Sequence, residues 1–279
     1  GLYAIGYSAD EIKEIALTAP WDELLTNRLN WNEVVFEEKD YYNRYIYEFS
    51  MDGLKFELPK GLIEGQKLSM LLSNLTRPVQ DMRDFSKLPI PYACIAADIE
   101  TGEKVVLESG SLARSMRASM AIPSIFTPVV INDRLLVDGG LVHNFPVEEN
   151  IKMGADYIIG VFVGTQLMKR EEMGSPLSLL TQSSFILASM DTEKQRALTD
   201  LYIEPDVSNF SAGDFHKAED IIAMGEKYGR MFLDEFKSLK DSLKASGRVN
   251  IIMEKPDTVD TSFVSSLLIH NNNWVPDPF

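Results

Sequence analysis

The chain has 279 residues, of which 45% are hydrophobic, so it can bury the core of one large α/β domain and is not globally disordered. A formal net charge of -15 excludes the basic face that a nucleic-acid binder needs and opposes general attraction to anionic membranes, although a local patch can override the sum. Cys94 is the only cysteine, so no intrachain disulfide forms, and no apolar run approaches the ~20 residues of a membrane-spanning helix.

Residues 1–5 read as the tail of a buried helix that Gly6 ends, a start that implies preceding chain. Ser8 and Glu11 form a capping-box pair, opening a helix with Ile12, Ile15 and Ala16 on its apolar face. Residues 20–29 have the pattern of another short helix. Residues 41–49, a turn at Met51-Asp52-Gly53 and the alternating residues 54–58 predict a β-hairpin. Its aromatic residues Tyr41, Tyr42, Tyr45, Tyr47 and Phe49 suit a half-buried hairpin or, alternatively, a lipid-facing surface. Residues 65–76 follow as an amphipathic helix through Leu68, Leu71, Leu72 and Leu75.

From residue 90 the pattern changes. Residues 92–97 form a near-continuous apolar strand, expected at the centre of a sheet covered on both faces, and residues 104–107 return the chain. Residues 111–120 predict a helix that stops before Pro123. Residues 126–131 and 134–137 pair across Asn132-Asp133. Residues 157–163 read as a further buried strand, 177–196 as a helix, 201–203 as a short strand and 217–244 as one long amphipathic helix. Strands alternating with helices point to an α/β layer architecture. Residues 249–253 and 263–269 look like strands. The chain thus divides into a domain over 1–246 and a linker, or the start of a following module, over 247–279.

The stretch 135–149, LLVDGGLVHNFPVEE, delivers Asp138 from an apolar strand into Gly139-Gly140. Two residues without Cβ let backbone or substrate come close to the carboxylate, and a plain tight turn has the same pattern. His143 raises a histidine-based triad, which His143→Ala would inactivate. Asp138, His143, Glu148 and Glu149 raise a metal site, but without recognisable ligand spacing a solvated acidic stretch is the plainer reading. Arg117, Ser119 and Pro123 are read as packing and turn residues, and Ser119 lacks the elbow context of a nucleophile.

Several segments in order resemble the patatin-like phospholipase family, bacterial type: GLYAIGYSADEI from Gly1, LPKGLIEGQKLSMLLSNL from Leu58, RASMAIPSIFTPV from Arg117, LVDGGLVHNFPVEE from Leu136 and ADYIIGVFVG from Ala155. A weaker match lies in LYIEPDVSNFSAGDFHKAEDIIAMG. The resemblance implies a three-layer α/β-hydrolase-like sandwich with a central, mostly parallel sheet. It further implies hydrolysis of lipid acyl esters by a Ser-Asp dyad, with no cofactor and no metal. The family's Asp-Gly-Gly or Asp-Gly-Ala motif falls here on Asp138, Gly139 and Gly140, and Asp138 would take the proton of the serine. The implied partner is a phospholipid or another acyl ester, with peripheral membrane contact and no nucleic acid.

The departure is large. The chain contains no GxSxG, GYSAD at residues 6–10 fails the last position, and no glycine-rich oxyanion loop occurs. In the family a segment like GLYAIGYS lies just after the nucleophile elbow, so the serine is expected a few residues before Gly1 and the sandwich is expected to be N-terminally incomplete. By itself this chain is then expected to be inactive, with exposed sheet edges that disfavour folding alone. The competing reading is a decayed, non-catalytic relative serving as a binding or structural domain. A third is that an envelope-type module begins after residue 247; cell envelope and cytoplasm are both compatible with the sequence, and the oligomeric state is open.

Overall fold

A computed structural model of the chain describes residues 1–27, 36, 50–52, 55–57, 61–164, 186, 188–211 and 213–247. The aromatic residues 41–49 and the segment after Gly247, including the predicted strands 249–253 and 263–269, lie outside them.

The chain opens with a 3-10 turn at Tyr3–Ile5, stopped by Gly6 in the left-handed region at φ 98°. Ser8 then caps α1 (Ala9–Thr18), with both bonds of the capping box made to and from Glu11. After a single turn, α2 (Trp21–Leu24), comes the hairpin of β1 (Ser50–Asp52) and β2 (Lys55–Glu57). Asp52 pairs with Lys55, so Met51 and Asp52, expected in the turn, belong to the first strand. β3 (Gly61–Ile63) leads into α3 (Gln66–Leu75), whose cap residue Gly65 has φ +73°, a conformation that glycine adopts without a Cβ penalty.

A four-stranded sheet follows, built from β4 (Cys94–Asp98), β5 (Lys104–Leu107), β7 (Val129–Ile131) and β8 (Arg134–Asp138) in the order β5-β4-β8-β7. All three of its pairings are antiparallel. The mostly parallel central sheet that the resemblance implies is therefore not what the described residues form. Short hairpin connections link β4 to β5 and β7 to β8, and such connections permit only antiparallel neighbours. Parallel pairing occurs in two separate pairs, β3 with β6 (Ser124–Phe126) and β9 (Ile159–Val161) with β10 (Leu201–Ile203). Pro128, without an N–H, separates β6 from β7, so the single strand expected over 126–131 is two. The β7–β8 turn is Asn132-Asp133, with φ 52° and 60°, the primed geometry whose twist suits a hairpin.

α4 (Leu112–Ser119) lies between this sheet and α3. Its Ala118 is closed off among Cys94, Ala96, Leu107 and Leu136 on the sheet. Leu68 and Leu72 of α3 pack with Ala121 and Phe126, and Leu112 joins Ile5, Tyr7, Val79, Phe85 and Leu88. All five residues of β4 are buried, as a strand covered on both faces requires. Each fully buried Leu, Val or Phe of these clusters contributes about 1.5–3 kcal/mol.

The other helices are α5 (Val147–Lys152), α6 (helical residues 188–196), α7 (Ala218–Met231) and α8 (Leu233–Ala245). The single helix expected over 217–244 breaks at Phe232, which has φ -106° and ψ 19°; Gly225 and Gly229, poor helix formers, precede the break. Residues 157–163 correct another expectation. Ile158 packs with Phe145 and Val147, but Tyr157, Ile159, Val161 and Val163 are exposed, so this strand is covered on one face only. Among the described residues no helix is long and apolar enough to cross a membrane.

Candidate active site

The apolar strand β8 ends at Asp138, opposite Ala96 of β4. Its backbone N–H donates to Ala121 O at 3.0 Å, so the loop after α4 holds the strand end from the other side. The carboxylate caps a 3-10 turn over Gly139–Leu141, with Gly140 N–H donating to Oδ1 at 2.7 Å. Burial pushes the Asp138 carboxyl above its ordinary 3.8, and the bond from Gly140 only partly opposes this. Among the described residues Oδ2 has no hydrogen-bond partner.

The two glycines have separate steric reasons. A Cβ on Gly139 would stand 2.5 Å from the carbonyl oxygen of Ile95, in the backbone of β4. At Gly140 a Cβ would meet Asn144 Oδ1 at 2.9 Å and Asp138 Oδ1 at 3.0 Å, displacing the carboxylate itself. Gly139→Ala is expected to lower stability by about 1–3 kcal/mol, because a strand backbone cannot yield as a side-chain tip can. A chemical-denaturation midpoint unchanged from wild type would contradict this crowding.

Around the β4 end of the site the remaining candidates are occupied. Ser119 Oγ donates to Ile95 O at 2.6 Å from the last residue of α4, and no strand-to-helix elbow presents it. Burial pushes the Cys94 thiol up, despite bonds with Tyr92 and Ser119, so it stays protonated and is a poor substitute nucleophile. Gly1 packs against the Met116 side chain of α4. The N-terminal segment thus lies against the helix whose Ser119 bonds to Ile95 O, next to the Ala96 that Asp138 pairs with.

His143 does not face Asp138. Its ring is 4% exposed, with Nε2 2.6 Å from Glu149 Oε2 and Nδ1 2.5 Å from Asp191 Oδ2. Lys104 Nζ completes the group, 2.6 Å from Glu149 Oε1. Both ring nitrogens are therefore committed to carboxylates on α5 and α6, and a triad through Asp138 has no free imidazole nitrogen to use. Glu148 turns its backbone N–H to Gln195 Oε1, and among the described residues no group of three His, Cys, Asp or Glu could hold a metal ion. The partners Lys104 and Asp191 lie 39 residues before and 48 after His143, too far apart for spacing to reveal them.

This buried group has a pH consequence. Burial raises the Glu149 carboxyl, but the bonds and charges of Lys104 and His143 outweigh it and bring the group from 4.5 to about 2. A carboxyl depressed in the folded state adds stability above its unfolded value and loses it as pH falls. Thermal unfolding should therefore show a Glu149-dependent loss of stability between about pH 4.5 and 2, absent in Glu149→Gln.

Comparison with known proteins identifies a family for the chain. The family model for patatin-like phospholipases matches residues 1–151, more than half of the chain and all of the segment carrying Asp138-Gly139-Gly140. An uncharacterized NTE family protein of Mycobacterium bovis is 33% identical over 101 residues, covering 36% of this chain and 27% of that protein. A lysophospholipase of Kluyveromyces lactis is 25% identical over 169 residues, covering 52% of this chain and 12% of the relative. A patatin-like phospholipase domain-containing protein of Caenorhabditis elegans is 31% identical over 168 residues, with coverages of 50% and 12%. The chain therefore spans about a quarter or less of the length of these relatives. With more than half of its residues matched to one family, the chain belongs to the patatin-like phospholipases, a family of α/β lipid hydrolases.

Proposed function

We propose that the intact protein hydrolyses acyl esters of lipids, lysophospholipids or phospholipids among them, with a Ser-Asp dyad in which Asp138 is the base. The observation that carries this is the placement of Asp138: a half-buried carboxylate at a strand end, one oxygen fixed by Gly140 N–H and the other without a hydrogen-bond partner among the described residues. Family membership and the lysophospholipase named among the relatives support the substrate class.

The serine in this reading belongs to a GxSxG elbow immediately upstream of Gly1. The packing of Gly1 against Met116 of α4, the helix whose Ser119 bonds to Ile95 O beside Asp138, supports that direction of approach. The serine hydroxyl gives its proton to Asp138 Oδ2 as Oγ attacks the ester carbonyl. The tetrahedral intermediate collapses, Asp138 returns the proton to the departing alkoxide, and an acyl-serine remains. Water then repeats the sequence, giving its proton to Asp138 and releasing the fatty acid. A carboxylate is a weak base at its ordinary value. Partial burial strengthens it, and the cramped Gly139-Gly140 turn holds it in place.

The lipase domain in this proposal runs over residues 1–246, with 247–279 a linker or the start of another module. The test has two parts. Sequence upstream of Gly1 is expected to contain GxSxG directly before GLYAIG, and the full-length protein is expected to release fatty acid from lysophospholipid vesicles. A full-length chain with no serine elbow and no esterase activity would leave the non-catalytic relative as the correct reading.

A further inference from the structure

Asn144 is exposed, and its side chain makes no hydrogen bond among the described residues, yet its place is narrowly defined. Its amide lies between two glycines from different parts of the chain. A Cβ on Gly140, in the turn after Asp138, would stand 2.9 Å from Asn144 Oδ1. A Cβ on Gly164, shortly after β9, would stand 2.4 Å from Nδ2. Both distances are closer than side-chain packing permits, so each glycine leaves room that the amide uses. The backbone here is fixed as well. His143 and Phe145, on either side of Asn144, are both buried, and Phe145 packs edge-on against Phe162 with ring centroids 5.8 Å apart.

The amide stands beside the Asp138 carboxylate. The place of a Gly140 Cβ is 2.9 Å from Asn144 Oδ1 and 3.0 Å from Asp138 Oδ1, so the two oxygens flank one point. Asp138 Oδ1 is held by a single hydrogen bond, from Gly140 N–H. The last torsion of an aspartate is broad and roughly two-fold, so one bond to one oxygen restrains the carboxylate poorly. A neighbour that fills the space beside Oδ1 restrains it further. The residue type suits that task. A lysine or arginine here would depress the carboxyl and weaken it as a base, whereas an uncharged amide confines it without that cost. Burial and the Gly140 bond are the influences on the Asp138 carboxyl, and no charged side chain is among them.

We propose that Asn144 is a positioning residue for Asp138: seated between Gly140 and Gly164, its amide closes the space beside Oδ1 and keeps the carboxylate on Gly140 N–H, with Oδ2 turned to the ester. This rests on the reading of Asp138 as the base of an ester hydrolase. Neighbouring side chains then divide the work. His143 ties the segment to α5 and α6 through Glu149 and Asp191, and Asn144 serves the carboxylate five positions before His143.

Steady-state kinetics of the full-length protein with a soluble p-nitrophenyl ester test this. Asn144→Ala is expected to lower kcat about tenfold, the cost of a poorly held base, with KM and Tm unchanged. Asn144→Leu, similar in size, should recover most of that loss. Asn144→Asp sets a second carboxylate beside Asp138 and should move the acid limb of the kcat profile upward by about one pH unit. A carbon-detected NMR titration of the Asp138 carboxyl reads the same upward shift without turnover. If the wild-type protein hydrolyses no ester, the base reading fails by itself, and the NMR shift still supports or overturns the action of Asn144 on Asp138. An unchanged kcat in a folded Asn144→Ala protein, or an Asp138 titration that Asn144→Asp leaves in place, overturns the proposal.

Discussion

In the full-length protein, Asp138→Asn is expected to lower ester hydrolysis by about 10²- to 10⁴-fold, the usual contribution of a positioned general base. Asparagine keeps the shape, and its carbonyl oxygen can still accept from Gly140 N–H, so the turn over Gly139–Leu141 should persist. What is lost is the capacity to take a proton at Oδ2. Burial raises the Asp138 carboxyl, so the folded state favours the protonated form. Stability from this group is therefore present below its ordinary 3.8 and is lost as pH rises through the folded value, so the amide should not weaken the fold at neutral pH. The same shift predicts the rate profile. Wild-type activity should fall, as pH is lowered, at a pH above the ordinary 3.8 of an aspartate, because only ionised Asp138 accepts a proton. Full esterase activity in a folded Asp138→Asn protein would remove Asp138 from the mechanism.

The second large effect is on stability. His143→Ala should destabilise the protein by about 3 kcal/mol, or roughly 6–12 °C in Tm, because it removes one partner from a buried polar group and leaves others uncompensated. Glu149, 5% exposed, would keep Lys104 but lose its second partner, and Asp191 would lose the side chain that ties α6 to the segment after Asp138. Activity per folded molecule should change little, since both ring nitrogens point at carboxylates other than Asp138. Differential scanning calorimetry and turnover below the transition, measured on one preparation, separate the two effects. A folded His143→Ala protein with unchanged Tm and turnover reduced by orders of magnitude would restore the histidine triad.

Local features were readable wherever the governing interaction is short in sequence. The Ser8–Glu11 capping box, the stop at Gly6, the apolar strand of β4 and the Asn132-Asp133 hairpin turn each depend on residues a few places apart. The same holds for Asp138 followed by Gly139 and Gly140: the motif marks a crowded strand end, and the fold supplies the neighbour, Ile95 O, that makes the crowding specific. Where periodicity alone was available, it failed at boundaries. It does not register that Pro128 splits residues 126–131 or that Phe232 divides the last long helix, and an apolar run such as 157–163 does not say whether one face or two will be covered.

By itself, then, the sequence determined the α/β character, the family and the carboxylate worth testing, because caps, turns and an ordered set of family segments are properties of neighbouring residues. Tertiary structure alone decided the rest. It made the four-stranded sheet antiparallel, turned His143 away from Asp138 toward Glu149 and Asp191, and enclosed the Arg117 guanidinium between Gly65 and Phe126. Each of those outcomes joins residues tens of positions apart, and their pairing is fixed by which faces of the helices and strands the core brings together, a quantity that no local spacing encodes.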